Sequence, residues 1–245
     1  MFPVAIQVYS VRDDAAADMM GTLKKIADMG YDGVEFAGFY GYGAEEIRAE
    51  LDKLGLKAVS SHVPFATLRS DLEATAEYHK ILGCKYIAVP YLEEKDRPGT
   101  ENWQKTIDDI LAIGKYLHSQ GIQLLYHNHD FEFRKIDDQL IYDFLLDNVS
   151  PNHVFFEMDV YWVMMGGGDP VAYLKNRPSQ FKAIHIKDEK EIGASGKMNF
   201  KPIFDQMYAN NVKDWYVEVE QYTNNDPVAS VQQSYDFLNK ADYVK

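Results

Sequence analysis

The sequence predicts a single (β/α)8 barrel of the α/β class over residues 1–245, and three observations predict it. Short apolar runs of strand length alternate with amphipathic segments along the whole chain, which is the pattern of βαβ crossovers and a parallel sheet. Counting them gives eight strand-helix units, where an open doubly wound sheet more often has about five or six. Four of the later strands also end in ligand-type residues, and a closed barrel gathers such ends at one mouth.

In order, Val4 to Ser10 reads as the first strand, with Gln7 and Arg12 near its outgoing end. The helix Asp18 to Met29 follows and stops at Gly30, a normal C-cap position. Gly33-Val-Glu-Phe-Ala is strand two and carries Glu35; Ala44 to Leu54 is a helix stopped by Gly55. Strand three, Leu56 to His62, precedes a helix from Leu72 to Leu82 stopped by Gly83, and strand four, Tyr86 to Pro90, precedes one from Trp103 to Ser119 stopped by Gly121. Strand five lies in Leu124-Leu-Tyr-His-Asn-His-Asp-Phe-Glu-Phe133, an apolar run opening into two histidines and two carboxylates. A helix over Gln139 to Leu146, strand six ending at Asp159, a short helix from Pro170 to Asn176 and strand seven ending near Ile186 follow. A helix from Phe200 to Asn210, strand eight ending at Glu220 and a last helix from Pro227 to Asn239 complete the count. Polar connections over 92–101, 161–169 and 188–199 all leave the C-terminal ends of strands, where barrels build substrate pockets. The glycines at 166–168, 193 and 196 supply turns for an oxygen-rich ligand there.

Composition narrows the chemistry. With 38 acidic against 25 basic residues the formal charge is −13, which opposes a polyanion and excludes nucleic acid as the expected partner. No apolar run reaches membrane-spanning length and no signal-like opening precedes Val4, so a soluble, cytoplasmic protein without a membrane partner is expected. A single cysteine, Cys84, excludes an intrachain disulfide and fits a reducing compartment. No Gly-x-Gly-x-x-Gly follows strand one, which removes the main sign of a dinucleotide fold. A homodimer is the ordinary expectation for a soluble oligomer.

Asp159, His185 and Glu220 end the last three strands, and a carboxylate from strand five would make a set of three oxygens and one nitrogen. Such a set leaves coordination positions open and suits one divalent ion per chain, Mn2+, Mg2+, Co2+ or Zn2+. Strand five offers His127, His129, Asp130 and Glu132; residues 125, 127 and 129 share a face in a regular strand, which favours the histidines, whereas Glu132 requires the chain to turn back over the mouth. Glu218 competes with Glu220 because period 2 puts both on one face. A divalent ion on a hydroxy-ketone polarises the carbonyl and stabilises the enediolate formed when the neighbouring proton leaves. Carboxylates flanking the substrate move that proton, and Lys187 beside them is placed to protonate a departing oxygen. Glu35, His62 and Lys187 are candidates for substrate hydroxyls, and Phe39, Phe65 and Trp162 for stacking on a sugar ring.

At these residues the chain resembles the xylose isomerase-like TIM-barrel superfamily, in its sugar phosphate isomerase/epimerase branch. The stretches that carry the resemblance are Gly33-Val-Glu-Phe, Ser61-His62, Tyr126 to Phe133, Glu157-Met-Asp-Val-Tyr-Trp162 with Gly168-Asp-Pro170, Ala183 to Asp188 and Val217-Glu-Val-Glu-Gln221. The resemblance implies a divalent metal held by Glu, Asp, His and Glu, and Asp159, His185 and Glu220 take the last three places at separations of 26 and 35 residues. Where ketose 3-epimerases of the branch have the strand-five Glu this chain has His127, so the implied first ligand becomes Glu132. On that set Glu132, Glu220, Lys187 and His129 form the catalytic group, while Glu35, His62, His127, Trp162 and Lys187 bind substrate. The implied activity is a metal-dependent isomerase or epimerase of a ketose or keto-sugar, with a dehydratase or lyase of an inosose or 3-keto-glycoside as the alternative. The substrate is a small polar carbohydrate on either reading. A trinuclear-zinc nuclease, the distant branch, would need more ligands than seven histidines partly spent on helices, such as His79 and His118, supply.

Overall fold

The structure is a computed structural model and describes residues 4–136, 138–149 and 153–245. Eight parallel strands form its sheet: β1 Ala5–Gln7, β2 Gly33–Phe36, β3 Lys57–Ser61, β4 Tyr86–Val89, β5 Gln123–His127, β6 Val154–Asp159, β7 Phe181–Lys187 and β8 Asp214–Glu218. Their spatial order is β3-β2-β1-β8-β7-β6-β5-β4, and a parallel bridge between His62 and Ala88 joins the two ends into a barrel. No helix among the described residues is long and apolar enough to cross a membrane.

The glycine stops read from the sequence hold for a stereochemical reason. Gly30, Gly55 and Gly83 each end a helix in the left-handed region, at φ of 102°, 72° and 77°, where a side chain would clash with its own backbone. At the other ends, the carboxylates of Asp18, Asp169 and Asp226 accept first-turn N–H groups, and Pro170 and Pro227 follow two of them as the first helical residue.

Several boundaries differ from expectation. Strand one stops at Gln7, because the Gln7 side chain accepts the Tyr9 N–H at 2.9 Å and starts a 3-10 turn over Val8–Val11. Strand eight stops at Glu218, two residues early. Lys135–Ile136 pairs antiparallel with Gln139–Leu140, so the helix expected from 139 begins at Ile141 and runs to Asn148. Short helices over Arg12–Ala17, Phe65–Ser70 and Val160–Met165 occupy stretches read as connections; at about six residues they are too short for hydrophobic periodicity to register.

Most of the apolar core lies between the strands and the surrounding helices, but a second, smaller cluster fills the barrel itself: Ala5, Tyr86, Ala88, Leu125, Ala183 and Tyr216, with Val59 and Phe155 against it. Side chains two residues apart on a strand point the same way. On every one of those strands except β4, where Ala88 and Pro90 follow, the residue two steps further along is therefore also interior, and these are Gln7, Ser61, His127, Glu157, His185 and Glu218, all polar and at most 3 % exposed. The barrel thus passes from an apolar floor to a polar layer within one pleat.

The helix Trp103–Ser119 sits so close to β6 that Gly114 is needed there: a Cβ at that position would lie 2.7 Å from Val154 Cγ2 and 3.0 Å from the His153 carbonyl oxygen. Alanine would gain about 1 kcal/mol in helix propensity against roughly 1–3 kcal/mol of overpacking. Because one of the atoms met is backbone, Gly114→Ala is expected to lower stability, which a denaturant midpoint measures.

Candidate metal centre and active-site cleft

Above the polar layer the C-terminal mouth forms a cleft of about 350 Å3, lined by Tyr9, Ala37, Gly38, His62, Pro64, Pro90, Tyr91, His127, His129, Glu218 and Glu220. A wider depression of about 660 Å3 at the opposite end, around Lys85, Lys182 and Asp214, holds none of the clustered residues.

Two overlapping groups have ligand atoms all within 4.8 Å of one another: His127, Asp159, His185 and Glu218, and more deeply His62, His127, Glu157 and His185. The register explains the first. Asp159 pairs with His185 across β6 and β7, and Lys187 with Glu218 across β7 and β8. Asp159 also caps the helix Val160–Met165: Oδ1 accepts the Trp162 N–H at 2.8 Å, while Oδ2 is buried with no hydrogen-bond partner among the described residues. A buried carboxylate oxygen left unpaired is costly unless something positive meets it. His185 presents Nδ1 to Glu218 at 3.2 Å and Nε2 to Glu35 at 2.7 Å.

The charge states suit a cation. Burial keeps His127 well below the usual histidine range despite the Glu157 hydrogen bond, so it is neutral. Burial pushes Asp159 up to about 8 against the pull of Lys187, with Glu218 adding to the rise. Burial would raise Glu218 too, but Lys187 and His185 outweigh it and hold that carboxyl well below the usual range. His185 is buried, which opposes its charge, yet Glu157, Glu35 and Glu218 raise it well above normal. Without a cation the cluster balances itself with protons on His185 and Asp159; a divalent ion would displace them.

Of the residues expected to hold metal, the structure brings Asp159 and His185 together and leaves Glu132 and Glu220 outside both groups. Glu132 does turn inward on a 3-10 turn, Phe131–Phe133, but onto its own strand: it accepts the Tyr126 hydroxyl and the His129 N–H, both at 2.8 Å. His127, at the place geometry favoured, stands in both groups instead. Glu220 lies past the end of β8, 29 % exposed and 3.0 Å from Lys187, whereas Glu218 at 4 % is the deeper of the pair. Depth, which period 2 does not encode, separates them.

The other expected residues scatter. His62 and His129 line the cleft. Lys187 is buried behind the rim, 3.2 Å from Glu218. Glu35 lies below the cleft, bound by Gln7 Nε2 at 2.8 Å and His185, so it holds protein groups rather than facing substrate space. Trp162 is half-buried beside His129, ring centres 5.7 Å apart, and its indole N–H is buried without a partner among the described residues. Phe65 is buried under Arg69 and Phe39 packs on Phe36 and Tyr78, so neither stacks in the cleft. Gly166 abuts Phe133, Gly193 abuts Phe237 and gives its N–H to Asp188, and Gly196 is likewise absent from the cleft wall. The aromatic walls come from Tyr9 and Tyr91, 43 % and 41 % exposed. Neither is expected from the sequence, although each lies two residues past the end of a strand, at Gln7 and at Val89.

Glu132 carries a separate consequence. Burial pushes it up to about 7 in spite of the hydrogen bonds from His129 and Tyr126. Between its unfolded value of 4.5 and about 7 the folded chain then binds more proton than the unfolded one, so stability falls as pH rises through that window and levels above it. Glu132→Gln is expected to remove this slope, about 3 kcal/mol at full extent, and to leave metal content unchanged; denaturation at about pH 5 and about pH 8, with elemental analysis, checks both.

Comparison with known proteins agrees with this architecture. The sequence pattern described as the xylose isomerase-like TIM barrel matches residues 23–241. The crystal structure of a sugar phosphate isomerase/epimerase from Parabacteroides distasonis ATCC 8503 is 32 % identical, covers 100 % of both chains and superposes with a TM-score of 0.87. An inosose dehydratase from Clostridium tetani is 26 % identical over 191 residues, 67 % of this chain and 63 % of that protein, so the matched region spans less than two thirds of the relative. A 3-keto-D-glucoside 4-epimerase from E. coli, 18 % identical with a TM-score of 0.76 over 98 % of this chain and 100 % of its own, shares the fold.

Proposed function

The chain belongs to the xylose isomerase-like TIM barrel family, and from that premise we propose that it is a divalent-metal-dependent isomerase or epimerase of a ketose or keto-sugar, working through an enediolate. The observation that carries the reading is the group His127, Asp159, His185 and Glu218, of which His127 and Glu218 line the cleft, with Asp159 Oδ2 buried and without a partner among the described residues. These four residues would hold the ion, and two nitrogens with two carboxylates suit Mn2+, Co2+ or Zn2+ at least as well as Mg2+. When bound, it supplies positive charge that polarises a carbonyl and steadies the enediolate.

The chain's own residues would supply the rest. Glu220 faces the cleft and is the carboxylate proposed to take the proton next to the carbonyl, with the Lys187 ammonium at 3.0 Å holding it in place. His129 lines the same cleft, held by burial down at about 4 and therefore neutral, and its ring is proposed to meet a substrate hydroxyl. Tyr9 and Tyr91 offer faces to a sugar ring. The neighbouring cations are engaged: Arg12 stacks on Tyr9 and donates to the Tyr222 hydroxyl at 2.9 Å, Arg97 stacks on Tyr91 and Phe131, and Lys187 is ion-paired. That favours a small, uncharged carbohydrate over a phosphorylated one.

The test is deuterium uptake. Metal-replete protein with unphosphorylated ketoses and keto-glycosides in D2O should place deuterium on the carbon beside the carbonyl, read by NMR; no exchange across the panel counts against the reading. Lys187 favours a second reading, dehydration of an inosose or 3-keto-glycoside, because an ammonium beside the base is a proton source for a departing β-oxygen. A product lighter by one water in the mass spectrum selects that reading.

A further inference from the structure

Glu157 lies on β6 two residues below Asp159, fully buried. Its Oε2 is 2.7 Å from His62 Nε2, 3.1 Å from His127 Nδ1 and 3.2 Å from His185 Nε2. One carboxylate oxygen thus meets three imidazoles delivered by the end of β3, by β5 and by β7. The rings pack around it: His62 and His185 are stacked with centres 5.3 Å apart, and His127 stands edge-on to both at 4.9 and 4.6 Å. Glu35 seconds it, with Oε2 at 2.7 Å from His185 Nε2 and 3.4 Å from His62 Nε2.

A ring nitrogen that donates its proton to a carboxylate cannot bind a cation at that atom, and the opposite nitrogen is then the one with a free lone pair. We propose that Glu157 is a positioning residue that fixes the proton of His127 on Nδ1 and, together with the nearer Glu35, that of His185 on Nε2, so that His127 Nε2 and His185 Nδ1 are the atoms offered to the upper group. This rests on the metal reading above. The deep group could instead take a second cation, but its members His127 and His185 would then have to serve two ions with one ring each, having given up the carboxylate that orients them. Outer carboxylates of this kind raise the basicity of a ligating imidazole and hold its plane, and their loss typically weakens metal binding about 10–100-fold.

The experiment compares wild type with Glu157→Gln and Glu157→Asp in the full chain. Mn2+ and Zn2+ affinities are measured, the fold is checked by circular dichroism, and histidine ring nitrogens are followed by 15N NMR. The expected result is one ion per chain in both proteins, about 10–100-fold weaker binding in Glu157→Gln, protons redistributed on His127 and His185, and partial recovery in Glu157→Asp. Should Glu157→Gln not fold, Glu35→Gln carries the test, because it touches His185 and His62 but not His127: the His185 and His62 signals should move and those of His127 should not. Unchanged affinity with unchanged ring signals overturns the proposal, as do two ions in wild type and one in Glu157→Gln, which would make Glu157 a ligand. A wild type that binds neither ion sinks the metal reading itself, whereas tight binding unaffected by Glu157 sinks this inference alone.

Discussion

Asp159→Asn is expected to take metal content from about one ion per chain to background and to lower turnover by at least about 10^2–10^3-fold, the scale on which preorganised charge at a reacting carbonyl acts. The amide keeps the oxygen that caps the helix Val160–Met165, so the local fold should survive. It replaces the unpartnered Oδ2 with an NH2 that can neither carry negative charge nor accept a cation. In wild type the proton held on Asp159 at about 8 must leave before an ion binds, so apparent affinity should rise with pH and level off above that value. Elemental analysis and metal titrations across pH measure both effects. Full metal occupancy in Asp159→Asn would move the site elsewhere, to the deep group first.

Glu220→Gln should behave in the opposite way. Glu220 stands outside both ligand groups but on the cleft wall, so the variant is expected to retain its metal while losing about 10^2–10^4 in kcat, the usual contribution of a positioned general base. Deuterium exchange into substrate should fall in step with turnover. A fall in metal content alongside activity would instead make Glu220 a ligand and return it to the place its sequence position implied. The two variants separate what holds charge in the cleft from what moves a proton there.

Much of this could be read before any coordinates. The alternation of strands and helices, the glycine stops at Gly30, Gly55 and Gly83, and the gathering of Asp159 and His185 at one mouth follow from periodicity, from backbone stereochemistry and from the rule that parallel strands present their ends on one face. The polar layer was legible too, since Ala183-Ile-His-Ile-Lys187 carries its inward residues at every second position.

The sequence by itself therefore determined the barrel and the end of it at which the ligand-type residues gather, because those depend on local pattern repeated along the chain. Only the tertiary structure decided depth and direction: that Glu218 lies under Glu220, that Glu132 turns onto Tyr126 and the His129 N–H while His127 joins Asp159 and His185, that Glu157 sits among three histidines, and that Tyr9 and Tyr91 make the walls. Those outcomes depend on where each strand stops and how neighbouring strands are staggered. Stagger is a property of the closed sheet, set by all eight strands together, and no single stretch of sequence carries it.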